Sequence, residues 1–329
     1  MSDCLIVIGN GFDRFHGIPS SYWDFYNYLK ENSSSYNFLE NLKRYDPESE
    51  ESIFSIFGNI NNSDDDTSSF LEKIERFIDT DELWCNFEQA LGDLDADELR
   101  DYFSDEIKSY GDDDWSDSYH HSYQFAIEEG LDFAKQIPKY LKDWISKIDI
   151  DAIKPKLSAN IISPDAFYIT FNYTRTLEDV YDIPDEQICH IHGSVDDFGE
   201  LIVGHGDKSS FKRPPLYSYE EDDDIRLIEG EELIAQYFKS TYKNVEKIIK
   251  SNQNVWNGLK KVKKVYILGH SLSDVDIPYF EKIYQSVHSK CRWFVSYYEP
   301  EDKRYFKNVL KNLGISKDDI SLIRLDELR

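Results

Sequence analysis

Leu5-Ile6-Val7-Ile8-Gly9-Asn10-Gly11-Phe12-Asp13 is the stretch on which the fold turns. Its four apolar, mostly β-branched residues form a run too short for a helix and without polar alternation. They read as a strand buried on both faces, and Gly9 stops it. From Ser21 onward Tyr22, Phe25, Tyr26 and Leu29 recur at helical spacing, so the opening unit is strand, glycine loop, helix.

The same alternation returns beyond residue 160. Strand-length apolar runs lie at 167–171, 188–191, 201–203, 265–268, 293–297 and 320–323. Helical periodicity lies between them at 176–180, 231–249 and 301–313, the last followed by Gly314 as a C-terminal cap. Strands alternating with helices predict an α/β fold with a Rossmann-like, doubly wound, mainly parallel sheet. Residues 31–159 differ: they are rich in Asp, Ser, Asn and Tyr, with helical periodicity at 70–78, 83–91, 123–133 and 140–148 and almost no strand signal. The expected organisation is an α/β domain from 1–30 and 160–329, with 31–159 a helical insertion serving as a lid. Asp64-Asp65-Asp66 and Asp112-Asp113-Asp114 read as solvated loop tips, and 220–224, after Pro214-Pro215, as a mobile loop.

Composition narrows the function classes. Of 329 residues, 40% are hydrophobic and 15% aromatic, which excludes a disordered chain. The 64 acidic against 37 basic side chains give a net charge of −27, and such a surface repels phosphate backbones, so bulk nucleic-acid binding is not expected. The densest basic spot, Lys260, Lys261, Lys263 and Lys264, precedes an apolar run and reads as a solvated strand entrance. The four cysteines are scattered without a CxxC, so neither a disulfide framework nor a structural zinc is expected. Neither a signal sequence nor a membrane-length apolar run is visible, and cytoplasmic localisation is the expectation.

Four loops carry residues with chemical potential. Gly9, Asn10, Gly11, Phe12 and Asp13 follow the first strand, where glycines either let backbone N–H groups approach a diphosphate or serve a tight turn needing positive φ. The pattern is not GxGxxG, because Arg14 stands at the third glycine's place. Phe171-Asn172-Tyr173-Thr174 puts a polar Asn at a strand end, where it can hold a water or a sugar hydroxyl, or cap the helix that follows. His190-Ile191-His192-Gly193-Ser194 ends a strand with a histidine suited to general-base work. That HxH pair also reads as a metal site with His205 or Asp207, while His190 alone reads as a hydrogen-bonded core residue. Gly269, His270, Ser271, Leu272, Ser273, Asp274, Val275 and Asp276 form the fourth loop, in which Ser273 and Asp276 have capping-box spacing. It is not a nucleophile elbow, because Ser273 occupies a position where GxSxG needs glycine.

Taken in order, the loops resemble the sirtuin superfamily: a glycine loop leading to Gly17-Ile18-Pro19, Asn172 followed by Thr176-Leu177-Glu178, then His192-Gly193-Ser194 and a late Gly269-His270-Ser271-Leu272. The chain is more closely similar to the AbiH-like proteins, a bacterial abortive-infection family directed at phage. That resemblance rests on the stretch from Ile8 to Asp13, Trp84 with Phe87-Glu88, Phe171-Asn172-Tyr173-Thr174, His190-Ile191-His192-Gly193, Gly204-His205-Gly206 and the loop from Gly269 to Asp276. No cysteine lies between Cys189 and Cys291, so the zinc module of sirtuin deacylases is missing and protein deacylation is not implied. Thr174 replaces the aspartate of the sirtuin segment.

The resemblance implies a sirtuin-like pocket for NAD or a close relative, and hydrolysis of its nicotinamide–ribose bond, with no metal. It assigns the diphosphate cradle to Gly9, Asn10, Gly11 and Phe12 and to Gly269, His270 and Ser271, with Ser273 and Asp274 beside them. Asn172 would orient a water, His192 would polarise or deprotonate a ribose hydroxyl or that water, and Asp13 would stabilise charge on the sugar. Trp84 and Glu88 are ligand-reaching positions in the family pattern, although Trp84, Phe87 and Leu91 at helical spacing also read as core. A constitutive NAD hydrolase would harm its host, so a phage-derived trigger or a low basal rate is expected, and the insertion offers a surface for homo-oligomerisation. The alternatives are a non-catalytic NAD or ADP-ribose sensor and a metal-dependent hydrolase or nuclease using His190, His192 and His205.

Overall fold

The computed structural model describes residues 3–33, 66–78, 83–108, 111, 121–197, 199–212 and 224–328. The acidic run Asp112-Asp113-Asp114, most of Asp64-Asp65-Asp66 and the segment from Pro214-Pro215 through the 220–224 run fall outside these residues, save Asp66 and Asp224 at the ends. The chain forms two compact units: Met1–Ser21 with Pro138–Gly206 and Lys243–Arg329, and Tyr22–Ile137 with Asp207–Tyr242.

The first unit is built on a six-stranded parallel sheet of β1 (Cys4–Ile8), β2 (Phe167–Thr170), β3 (Ile188–His190), β4 (Lys264–Leu268), β5 (Arg292–Ser296) and β6 (Ile320–Ile323). The spatial order is β3-β2-β1-β4-β5-β6, that of a doubly wound dinucleotide-binding sheet. β1 lies at the centre, paired with β2 on one side and β4 on the other, and Leu5, Ile6, Val7 and Ile8 are buried. Their alternation divides them between two cores. Leu5 and Val7 join Ile169, Val265, Ile267, Trp256 and Trp293, whereas Ile6 and Ile8 join Phe12, Tyr168, Leu177 and Leu268. Apolar burial on both faces is what an unbroken apolar strand requires, and helices supply the cover. The edge strands β3 and β6 are only half-buried.

The second unit is helical among its described residues, with Tyr22–Asn32, Asp66–Phe77, Ala96–Tyr102, Ser122–Leu131 and Ile225–Ser240 as its longer helices. Trp84 stacks on Tyr26 and Phe87 at ring-centroid distances of 4.8 and 5.5 Å, and the Tyr22 hydroxyl donates to Glu88 at 2.8 Å. Arg100 makes two bonds to the buried Glu231, at 2.6 and 3.0 Å. No helix among the described residues is long and apolar enough to cross a membrane.

Several local expectations are corrected. Residues 201–203 form no strand: Leu201 is apolar because it is buried in a loop, and the segment's Ile202 N–H reaches the His192 carbonyl. The periodicity of 231–249 belongs to two helices, Ile225–Ser240 and Val245–Ser251. Thr241 turns its hydroxyl back onto Tyr237, and the Asn244 side chain caps the second helix through the Lys247 N–H. Within 83–91 only Phe87–Ala90 is helical, and the 140–148 periodicity belongs to Phe133–Ile145.

The glycine loops owe their composition to proximity. Gly9 has φ −126° and the helix Asn10–His16 starts directly after it, so positive φ is not the requirement. A Cβ on Gly9 would stand 2.6 Å from the His270 Cα, and one on Gly11 would stand 2.8 Å from the Gly269 carbonyl oxygen. Gly269 has φ +69°, and a Cβ there would meet the Phe12 nitrogen at 2.0 Å. By contrast Gly17, the left-handed cap of the same short helix at φ +87°, has nothing within 4 Å. Gly17→Ala is therefore expected to cost only the left-handed backbone term, about 1–2 kcal/mol. Gly269→Ala adds a backbone clash and is expected to lose roughly 3 kcal/mol or more. Urea unfolding of the two variants checks this, and equal losses would contradict it.

Candidate functional site

In a parallel sheet every strand delivers the following loop to the same edge. Residues 9–13 follow β1, 171–174 follow β2, 191–194 follow β3 and 269–276 follow β4, so the four sequence-selected loops share the carboxyl edge of four adjacent strands. The order reverses at β1, since the chain runs outward to β3 and then returns to β4 on the other side, and such a switch point is where doubly wound sheets bind ligands.

The loops after β1 and β4 are locked together there. The Gly11 N–H donates to the Gly269 carbonyl at 2.7 Å, and the Gly9 N–H donates to the Leu268 carbonyl at 3.0 Å. The Phe12 N–H is taken by the Gly9 carbonyl and the Gly269 N–H by the Ser296 hydroxyl. Of the predicted cradle, these amides are thus engaged within the chain, whereas the exposed Ser271 has an amide with no partner among the described residues. Asn10 is exposed and accepts from the Ser20 hydroxyl at 2.5 Å. Leu272 is fully buried at φ +55°, a strained conformation for a side chain of this shape.

The first polar cluster surrounds Asp13, which is completely buried. The Thr174 hydroxyl donates to Asp13 Oδ2 at 2.5 Å, and the Thr176 hydroxyl donates to Thr174 at 3.1 Å. Asp13 Oδ1 has no hydrogen-bond partner among the described residues. Burial pushes the carboxyl up to about 6, against the pull of the Thr174 hydrogen bond and of the nearby Thr176, Asn172 and Ser20 side chains. The Asn172 amide donates to the Gly9 carbonyl at 3.3 Å, which ties the β2 loop to the β1 loop. His190 supports Asn172 from the other side, with Nδ1 on the Asn172 carbonyl at 3.2 Å and Nε2 on Glu178 at 2.8 Å.

The second cluster holds His192, His270, Asp276 and two residues that sequence reasoning missed, Lys243 and Tyr279. Lys243 Nζ lies 3.3 Å from Asp276 Oδ1, and His270 Nε2 lies 3.7 Å from Asp276 Oδ2. The Ser273 hydroxyl donates to Asp276 Oδ2 at 3.1 Å, so the expected capping box is a bond between two side chains. The helix Ile277–Ser286 starts afterwards, with proline fixing its first turn. His192 Nε2 lies 3.2 Å from the Tyr279 hydroxyl. The Phe171 ring meets His192, His270 and Tyr279 edge-on at 5.1, 4.3 and 5.3 Å, so the residue before Asn172 joins the two clusters. Burial lowers both histidines, and Lys243 adds to it against Asp276: His192 falls well below its ordinary value and His270 falls to about 4. Burial is the largest single influence on Asp276 and would raise it, but Lys243 and the two histidines together outweigh it and hold the carboxylate below its usual range.

Of the predicted residues, Asp13 and Asn172 thus share one cluster and His192, His270 and Ser273 the other. Asp274 sits in the short turn preceding Asp276. His190 and His192 engage different partners, and no group of three His, Cys, Asp or Glu side chains suited to a metal occurs among the described residues. His205 is fully buried, and its carbonyl accepts the Lys243 N–H. The one sequence sign of Lys243 was the polar Asn244 after it, at the break in an otherwise helical pattern.

The family model described as bacteriophage abortive infection AbiH matches residues 5–297. No curated protein and no solved structure matches the chain.

The Asp13 carboxyl gives a signed expectation. Its folded value of about 6 exceeds the ordinary 3.8, so its contribution to stability is complete below 3.8 and is lost as pH rises through 6. His270 has the opposite sign: its contribution is present above 6.5 and lost as pH falls towards 4. Only the difference between wild type and Asp13→Asn isolates the carboxyl. That variant should gain on the order of 3 kcal/mol relative to wild type at about pH 8 and roughly half of that at about pH 5. Urea titrations at the two pH values measure it, and a pH-independent difference would contradict an ionising Asp13.

Proposed function

Because this chain belongs to the bacteriophage abortive infection AbiH family, we propose that it acts in defence against phage by binding NAD or a close relative at the carboxyl edge of its sheet and hydrolysing the nicotinamide–ribose bond. The observation that supports this reading best is the convergence of the four loops on adjacent strands around the switch point. The resemblance of those loops to the sirtuin superfamily supplies the ligand class.

The chemistry asks little of an acid. The nicotinamide nitrogen is cationic in the bound nucleotide, so it leaves with the electrons of the broken bond and becomes neutral. A water adds its oxygen to the ribose carbon and loses a proton. The transition state carries positive charge on the sugar, and fixed groups that stabilise this charge and place the water supply the catalysis. In this proposal Asp13 is the anionic stabiliser, acting when ionised above its raised value of about 6. Its unpartnered Oδ1 is an acceptor for a ligand hydroxyl or for the water. Asn172 orients the water from the neighbouring loop. His192, held neutral by burial, takes the proton through Nδ1. Contact with the diphosphate falls to the exposed Ser271 amide and the Asn10 side chain, because the amides of Gly11 and Phe12 are engaged.

Purified protein incubated with NAD is expected to release nicotinamide and ADP-ribose, followed by chromatography. His192→Ala and Asn172→Ala should each lower kcat by about a hundredfold or more with the fold intact. Nicotinamide release at the wild-type rate by both folded variants would sink the assignment. An NAD-dependent rise in Tm without product would replace hydrolysis by sensing.

A further inference from the structure

Lys243 is the one ammonium described inside the second cluster, and its side chain is 1% exposed. Three features of unit one hold it there. Its N–H is bonded to the His205 carbonyl at 2.9 Å. The next glycine, Gly206, leaves room for Val275, whose Cγ2 would lie 2.6 Å from a Cβ on that residue. Asn244 then starts the helix Val245–Ser251, so the lysine sits at a fixed chain break with its side chain on Asp276. Gly204-His205-Gly206 and residues 269–276, two motifs far apart in sequence, thereby meet around one ion pair.

Asp276 has three suitors. Lys243 is at 3.3 Å, the Ser273 hydroxyl at 3.1 Å, and His270 Nε2 at 3.7 Å. The other ring nitrogen of His270 is committed as an acceptor, because the Leu272 N–H donates to Nδ1 at 2.9 Å. A neutral His270 therefore carries its proton on Nε2, facing the carboxylate, and a second proton would have to displace the Leu272 bond. We propose that Lys243 is a positioning residue of this site, occupying Asp276 so that His270 stays in its neutral, Nε2-protonated form and holds the strained Leu272 turn beside β1. The pair also sets the charge around His192, whose electrostatic neighbours are Lys243, Asp276 and His270. The consequence for catalysis rests on the hydrolase reading above; the effect on His270 does not.

Without the lysine, a buried carboxylate is left facing the imidazole, and proton uptake by His270 is the means of neutralising it. Ring-nitrogen NMR of histidine-labelled protein near neutral pH distinguishes the forms. Wild type is expected to show His270 neutral with the proton on Nε2, Lys243→Met to show it doubly protonated, and Lys243→Met with Asp276→Asn to return it to neutral. A folded Lys243→Met in which His270 stays neutral overturns the proposal. If Lys243→Met does not fold, recovery of folding by adding Asp276→Asn supports the pairing, and failure to recover overturns it. In the folded single variant kcat for nicotinamide release should also fall by about tenfold with KM little changed. If wild type itself releases no nicotinamide, the hydrolase reading fails while the His270 spectrum still decides the role of Lys243.

Discussion

The contact between the β1 and β4 loops is the constraint from which the rest of the first unit follows. Gly11 and Gly269 approach until a backbone N–H meets a carbonyl at 2.7 Å, and neither position has space for a Cβ. In a doubly wound sheet these two loops leave the switch point in opposite directions, which ordinarily opens a crevice between them. Here the crevice is closed at its base by backbone. Above that closure the polar side chains come from these two loops and from the loop after β2, with Asp13 and Asn172 on one side and the residues about Asp276 on the other.

The polar groups at this edge are mutually compensating. Lys243 and Asp276 form an ion pair, His192 and His270 are held neutral, and Asp13 is raised into the range where it changes charge near physiological pH. Burying a lone charge is costly, and a buried pair is tolerated only when each member is satisfied. Asp276 meets that condition with Lys243 and the Ser273 hydroxyl, whereas Asp13 has one oxygen without any partner. An unsatisfied buried acceptor at a strand's carboxyl end is destabilising by itself, and retaining one is consistent with a site whose last partner is a ligand or water.

Membership of the abortive-infection family bears on the arrangement in a second way. The matched region, residues 5–297, takes in β1 through β5 and every loop of the candidate site. Trp84 and Glu88 are engaged within the helical unit, Trp84 in an aromatic stack and Glu88 with the Tyr22 hydroxyl. Packing is therefore a sufficient account of those two positions.

The sequence by itself determined the sheet. Leu5 to Ile8 and the 265–268 run are apolar without alternation, a pattern that suits a strand covered on both faces, and the glycines that follow them marked the carboxyl edge in advance. It also singled out His192, Asn172 and Asp13, because their residue types stand out at strand ends, and the structure brings all three to that edge. It misjudged 201–203, where Leu201 is buried and Ile202 and Val203 are half-buried without a partner strand, and 231–249, where periodicity survives a break made by Thr241 and Asn244. Only the tertiary structure decided why Gly9, Gly11 and Gly269 are glycines, since the atoms that exclude a Cβ come from a loop some 260 residues away in the chain. It alone placed Lys243 on Asp276. A lysine between two helices looks like any solvated charge in the sequence, and its burial depends on the turn of His205 and Gly206 against Val275, a contact no local pattern encodes.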